Sequence, residues 1–155
     1  MRRVAMDKAR WVYAALSGPH TYSHVLAADT IVELDGAVLH KPTTSKNAVT
    51  TLRALAGREH LVRTAVATIY LREDEKAGTV RHSVGQLVVT TRVRFRAYDE
   101  ATIQRYVASG EPLDRAGGYA IQGGGMALVD RIVGSYTNVV GLPLRETLRL
   151  LERRT

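Results

Sequence analysis

The chain has 155 residues, 45% hydrophobic and 24% charged, a size and balance suited to one folded domain with its own core. It has no cysteine, which excludes disulfides, thiolate catalysis and cysteine-held zinc, and no apolar run of bilayer length or signal-peptide type, so the expected setting is cytoplasmic. The net charge of +7 is scattered, with short clusters only at Arg2-Arg3 and Arg153-Arg154, which points to a small anionic ligand rather than to long nucleic acid or a membrane.

Residues 2–17 are good helix formers stopped by Gly18-Pro19, with Val4, Trp11 and Ala15 on one face at helical spacing. Lys8 falls on that same face, and spacing alone makes it a lysine whose stem crosses apolar surface while its ammonium reaches water. Residues 25–28 form an apolar run typical of a strand covered on both faces, a pattern that usually marks a parallel sheet. Asp29 and Thr30 interrupt the run, Ile31, Val32 and Leu34 resume it, and Asp35-Gly36 predicts a two-residue hairpin into residues 37–39. Pro42 then prevents the strand from continuing inside a sheet.

Thr44 or Ser45 caps a helix presenting Ala48, Leu52 and Leu55, with Gly57 at its end. Residues 60–71 and 84–95 are β-rich and are predicted to be antiparallel neighbours, joined by the polar, mobile segment REDEKAGTVRH. Asp99 caps a helix that uses Ile103, Tyr106 and Val107 and stops at Gly110. Residues 126–133 read as a strand and 138–141 as a turn, and Pro143 opens a last helix carrying Leu144, Leu148 and Leu151. Helices interleaved with strands predict an α/β or mixed α+β domain, a twisted mixed β-sheet flanked by helices, with no internal repeat.

Asp29 is the first candidate for chemistry, because an unpaired carboxylate ending an apolar strand is costly to bury and ligands gather at strand ends. The plainer alternative is a turn cap, weakened here because strand rather than helix follows. Lys41 is the second, held just ahead of the rigid Pro42, where a cation beside a carboxylate suits a phosphate or metal-phosphate site. Most lysines are simply at the surface. The histidines have no metal-protease spacing, and the stretch AGGYAIQGGG, residues 116–125, is no phosphate-binding loop, since Gly-Lys-Ser/Thr does not follow. Taken alone, that glycine cluster reads as a bulged hairpin.

Taken in order, the stretches DKA, ADTIVELDGAVLHKP, AVTTLRALAGREHLVRTAV, TTRVRFRAYDEATIQRYVASGEPLDRAGGYAIQGGG and GSYTNVVGLPL resemble the Maf family of nucleoside triphosphate pyrophosphatases, along nearly the whole chain. The resemblance implies a nucleotide-binding cleft and hydrolysis of the bond between the α- and β-phosphates, with a divalent cation, Mg²⁺ or Mn²⁺, as cofactor. It makes Asp29 the catalytic carboxylate, the acceptor of a proton from the attacking water and the residue close to the metal. It assigns Lys8 and Lys41 to the phosphates and Thr30 and Gln122 to base selectivity, with the glycines as clearance for a nucleotide. The form ADT is similar to the branch acting on dTTP and UTP, since the branch acting on 7-methyl-GTP carries Gln after that Asp. A homodimer is implied as well.

Two departures stand out. His40 occupies a position that is usually Gly in the family, narrowing the space near Lys41. The family also opens with a strand and a Ser-x-Ser-Pro-Arg-Arg loop that grips the triphosphate, and the sequence as given starts after it. The expectation is therefore a single Maf-like domain over residues 1–155, N-terminally shortened, with unpaired strand groups and an uncovered apolar face. A catalytically impaired nucleotide-binding module is the alternative.

Overall fold

The β-branched stretches in the middle of the chain build the sheet on which the helices pack. β1 (His24–Leu34), β2 (Ala37–Leu39), β3 (Glu59–Asp74), β4 (Thr79–Phe95) and β5 (Val129–Val133) lie in the order β2-β1-β3-β4-β5. The structure is a computed structural model that describes residues 1–16, 24–74 and 79–152. The expected helix stop at Gly18-Pro19, His20 and the Arg153-Arg154 cluster lie outside the described residues. Helices flank one twisted sheet, as a mixed α+β domain requires, and every described strand pairing is antiparallel. The parallel sheet suggested by residues 25–28 is thereby corrected. Val25 and Ala27 pack against the first helix, whereas Leu26 on the opposite face is 38% exposed, so the apolar run marks a strand covered chiefly on one side rather than one buried on both.

Local chemistry sets the element ends. Asp35 and Gly36 both take left-handed backbone, φ 49° and 83°, as a two-residue hairpin turn matching the strand twist requires. The Thr44 hydroxyl accepts from the Asn47 amide at 3.2 Å to cap α2 (Ser45–Leu55), and the Asp99 carboxylate accepts from the Thr102 amide at 2.9 Å to cap α3 (Glu100–Ala108). Ala48, Leu52 and Leu55 of α2 and Ile103, Tyr106 and Val107 of α3 join Val32, Val62, Val93 and Phe95 in the larger core.

Elsewhere tertiary packing overrides the sequence pattern. In α1 (Arg2–Ala15) the Val4, Trp11 and Ala15 face is turned outward, with Trp11 75% exposed, and Ala5, Met6 and Ala9 pack on Val25, Ala65, Ala67 and Ile69. Alanines on both surfaces let the helix approach the strands closely, a gain the larger residues would forfeit. Strand pairing continues to Asp74 opposite Thr79, so most of the connection expected to be mobile is strand; residues 75–78 lie outside the described residues. The stretch 126–133 divides into a 3₁₀ turn, Gly124–Leu128, and β5. Residues 138–141 belong mostly to a short helix, α4 (Tyr136–Val140), whose first turn is capped by the Ser135 hydroxyl accepting from the Asn138 amide at 3.2 Å. In α5 (Leu144–Glu152), Leu144 and Leu148 are exposed while Thr147 and Leu150 face inward, because Leu150 occupies the space that Gly85 leaves open on β4 and the Tyr70 hydroxyl donates to the Leu150 carbonyl. Pro143 stands one residue before the helix, accepting from the Thr147 amide at 2.9 Å. No described helix is long and apolar enough to cross a membrane.

On β3, His60 is buried, its Nε2 2.9 Å from the Tyr119 hydroxyl and its ring edge-on to Phe95 and Tyr119. Burial lowers its pKa from 6.5 to about 4, so the ring is neutral in the folded protein at neutral pH. Between those values the unfolded chain takes up a proton that the folded one refuses. Its contribution is therefore whole above pH 6.5 and is lost as pH falls toward 4. Urea unfolding should show stability falling through this window by up to about 1.4 kcal/mol per pH unit more than in His60→Gln. Equal pH slopes in the two proteins would remove His60 from the acid response.

Candidate active site

A cleft of about 530 Å³ opens at the β1 edge, and Lys8, Asp29, Thr30, Lys41 and Gln122 all line it. Register explains how β1 contributes two of them. Asp29 lies opposite Ala65 and Thr30 opposite Thr64, so alternation sends their side chains to opposite faces of the sheet. Asp29 meets α1, where the Lys8 ammonium donates to its Oδ1 at 2.8 Å and to the Ala28 carbonyl at 3.3 Å. Lys8 is therefore more than a lysine reaching for water: it bridges the helix to the strand-end carboxylate.

Thr30 points the other way. Its hydroxyl oxygen lies 2.8 Å from that of Thr64 and 3.5 Å from the Gly141 carbonyl oxygen. Thr64 in turn donates to the Asn138 carbonyl at 3.2 Å, and the Asn138 amide donates to the Val62 carbonyl and the Thr91 hydroxyl, each at 3.0 Å. Either hydroxyl can donate in the Thr30–Thr64 pair, and the Thr30 proton also has the Gly141 carbonyl within reach, so this network holds the Thr30 side chain in place at the cleft wall. Asp29 and Thr30 share one cleft despite opposite directions because β2 pairs with β1 only along Val32, Glu33 and Leu34. Among the described residues the β1 edge beside Asp29 and Thr30 has no neighbouring strand, and the cleft reaches round it.

Lys41 approaches from the loop after β2. Its ammonium donates to Asp114 Oδ1 at 3.3 Å, and the Asp114 amide donates to the Pro42 carbonyl at 3.1 Å, tying that loop to the one after α3. Both members of this ion pair are exposed, so its net strength is low and a phosphate oxygen can replace the carboxylate. Gln122 is exposed on the cleft wall.

The glycine cluster differs from expectation in what it approaches. A Cβ on Gly123 would come 2.5 Å from the Glu111 carboxylate, one on Gly125 2.6 Å from the Tyr106 hydroxyl, and one on Gly117 2.8 Å from Val32. In the structure the close approaches are to protein groups, with Gln122 carried between them. Sequence reasoning passed over Glu111, Asp114, Arg115 and Tyr119, which also line the cleft. Glu111 accepts from the Gly124 and Gly125 amides and the Tyr106 hydroxyl. Partial burial works to raise its pKa, but those three hydrogen bonds and the nearby Arg115 outweigh it and hold the carboxyl below its ordinary value. The only sequence signal for this role was an acid twelve residues before a glycine run.

No group of three or more His, Asp or Glu gathers among the described residues to hold a metal unaided. The donor set on the cleft is carboxylate: Asp29, Glu111 and Asp114. A hard divalent cation that keeps most of its waters and takes phosphate oxygens from a ligand needs only one or two carboxylates, and Asp29 fits that use.

A family profile described as "Maf-like protein" matches residues 1–154. A protein named dTTP/UTP pyrophosphatase from Desulfotalea psychrophila is 48% identical over 149 residues, 96% of this chain and 70% of that protein. A nucleoside triphosphate pyrophosphatase from Xylella fastidiosa is 46% identical over 151 residues, 97% of this chain and 75% of the relative. A dTTP/UTP pyrophosphatase from Bordetella parapertussis is 48% identical over 155 residues, covering 97% and 69% of the two chains.

Proposed function

The chain belongs to the Maf-like protein family, and on that premise we propose that it is a nucleoside triphosphate pyrophosphatase acting on dTTP and UTP. The bond broken is the phosphoanhydride between the α- and β-phosphates, and the products are nucleoside monophosphate and pyrophosphate. The observation that supports this most is convergence: Lys8 from α1, Asp29 and Thr30 from β1, Lys41 from the loop after β2, and Gln122 from the loop after α3 line one cleft.

In this reading a water oxygen bonds to phosphorus, its proton passes to the Asp29 carboxylate, and the bridging oxygen leaves with the bonding pair. Lys8, hydrogen-bonded to Asp29, orients that carboxylate and with Lys41 offsets the charge that develops on the phosphates. Asp29 would hold the divalent cation, Mg²⁺ or Mn²⁺, which when bound supplies further neutralisation of phosphate charge. Thr30 and Gln122 face the base, the first with a hydroxyl and the second with an amide that offers both donor and acceptor. A homodimer and a cytoplasmic setting belong to the same proposal, and the outward Leu144 and Leu148 of α5 offer apolar surface for contact between copies.

The test is a pyrophosphate-release screen across nucleoside triphosphates with Mg²⁺ or Mn²⁺. dTTP and UTP should lead, and Gln122→Ala should change their lead over other nucleotides by about fivefold or more, the equivalent of one hydrogen bond. Nucleotide binding without pyrophosphate release from any substrate would leave a binding module instead, and an unchanged preference in Gln122→Ala would return residues 116–125 to the role of a turn.

A further inference from the structure

The loop that carries Gln122 is fastened on both sides by one pair of side chains. Ahead of Gln122, the Ala120 amide donates to the Tyr106 hydroxyl at 3.0 Å. Behind it, the Gly124 amide donates to Glu111 Oε2 at 2.9 Å and the Gly125 amide to Glu111 Oε1 at 3.1 Å. Tyr106 then donates to Glu111 Oε1 at 2.8 Å, which closes the two anchorages into one brace. The brace itself stands on a rigid support, because Tyr106 is a buried residue of α3 and Glu111 follows that helix by three residues.

We propose that Glu111, working with Tyr106, is a positioning residue for nucleotide selectivity that fixes the direction in which Gln122 meets the base. This rests on the reading of Gln122 given above. The chemistry asks for a carboxylate at this place. Two backbone N–H groups and one hydroxyl all donate to it, and a carboxylate alone among side chains of this length offers two oxygens that only accept. In Glu111→Gln one of those oxygens becomes an NH₂ group facing a donor. With Oε1 retained as the carbonyl, the Gly125 amide keeps its acceptor but the Gly124 amide faces an NH₂ group, so one of the two bonds behind Gln122 is lost and the anchorage loosens. The glycines fit the same account: a side chain at Gly123 or Gly125 would collide with the brace itself, at 2.5 Å from Glu111 and 2.6 Å from Tyr106.

A mutant cycle on pyrophosphate release tests this, reading the ratio of kcat/KM for dTTP to that for a purine triphosphate in wild type, Gln122→Ala, Glu111→Gln and the double variant. Gln122→Ala should shift the ratio by about fivefold or more, Glu111→Gln should shift it in the same direction, and the double variant should go no further than Gln122→Ala. Tyr106→Phe, which keeps the ring in the core and removes the hydroxyl, should reproduce the direction of the Glu111→Gln shift and guards against misreading a folding defect. If Gln122→Ala moves the ratio while Glu111→Gln and Tyr106→Phe leave it in place, the brace is structural only and the inference falls alone. If Glu111→Gln shifts the ratio as much again in the Gln122→Ala background, Glu111 meets the nucleotide itself and the inference also falls. A ratio unmoved by Gln122→Ala overturns both this inference and the reading on which it rests.

Discussion

Asp29→Asn should reduce pyrophosphate release by about 10²–10⁴-fold with little change in KM, the range expected when a positioned base is removed. The substitution is nearly isosteric and its amide oxygen still accepts from the Lys8 ammonium, so the geometry linking α1 to β1 survives. What is lost is the capacity to take up a proton and the negative charge that would help hold the cation, so the comparison is made at saturating Mg²⁺. Asp29 is 19% exposed and Lys8 52%, so the ion pair they form contributes little to stability, and thermal unfolding should stay close to that of the wild type. The split between kcat and KM matters, because loss of the lysines should act differently. Lys8→Ala or Lys41→Ala should weaken nucleotide binding as well as turnover. A kcat for Asp29→Asn within about threefold of wild type would exclude Asp29 as the base.

Gly117→Ala should destabilise the fold by about 2–5 kcal/mol, combining the cost of left-handed backbone with that of overpacking. Gly117 has φ +69°, and an added Cβ would lie 2.8 Å from both γ-carbons of Val32 and 2.9 Å from its Cβ. Val32 is 2% exposed in the middle of the larger core, so it has little room to withdraw. The effect should appear in urea unfolding as a lower midpoint with an unchanged slope. Adding Val32→Ala removes two of the three clashing atoms, so the double variant should be more stable than the sum of the two single effects. Strict additivity would mean that the backbone angle alone carries the cost. Because Val32 also lines the cleft two residues beyond Thr30, activity should fall along with stability.

These two residues mark different degrees of legibility. Asp29 was visible as a carboxylate interrupting an apolar strand, an expense that sequence alone exposes. Gly117 was visible only as one member of a cluster, and its partner Val32, eighty-five residues away in the chain, became known when the fold brought them together. The caps at Thr44 and Asp99 and the Asp35-Gly36 hairpin were legible because their chemistry lies within four residues. The inward faces of α2 and α3 were legible because their bulky residues lie on one side only. In α1 and α5 apolar residues lie on more than one side, and neighbours made the choice: alanines of β1 and β3 in the first case, the gap at Gly85 in the second. Glu111 escaped notice because its principal partners are backbone N–H groups, which leave no side-chain pattern to read.

By itself the sequence determined most of the helices and strands and several of their local ends, and it offered Asp29, Thr30, Lys41, Lys8 and Gln122 as candidates, since capping, turn chemistry, strand-end charge and motif order are all local or linear properties. Only the tertiary structure decided strand direction, which helix faces are buried and how the five residues come to line one cleft. Adjacent residues on a strand point to opposite faces, so Asp29 and Thr30 meet one cleft only because the sheet is open at their edge, with α1 bringing Lys8 to one side and α4 leading to Gly141 on the other.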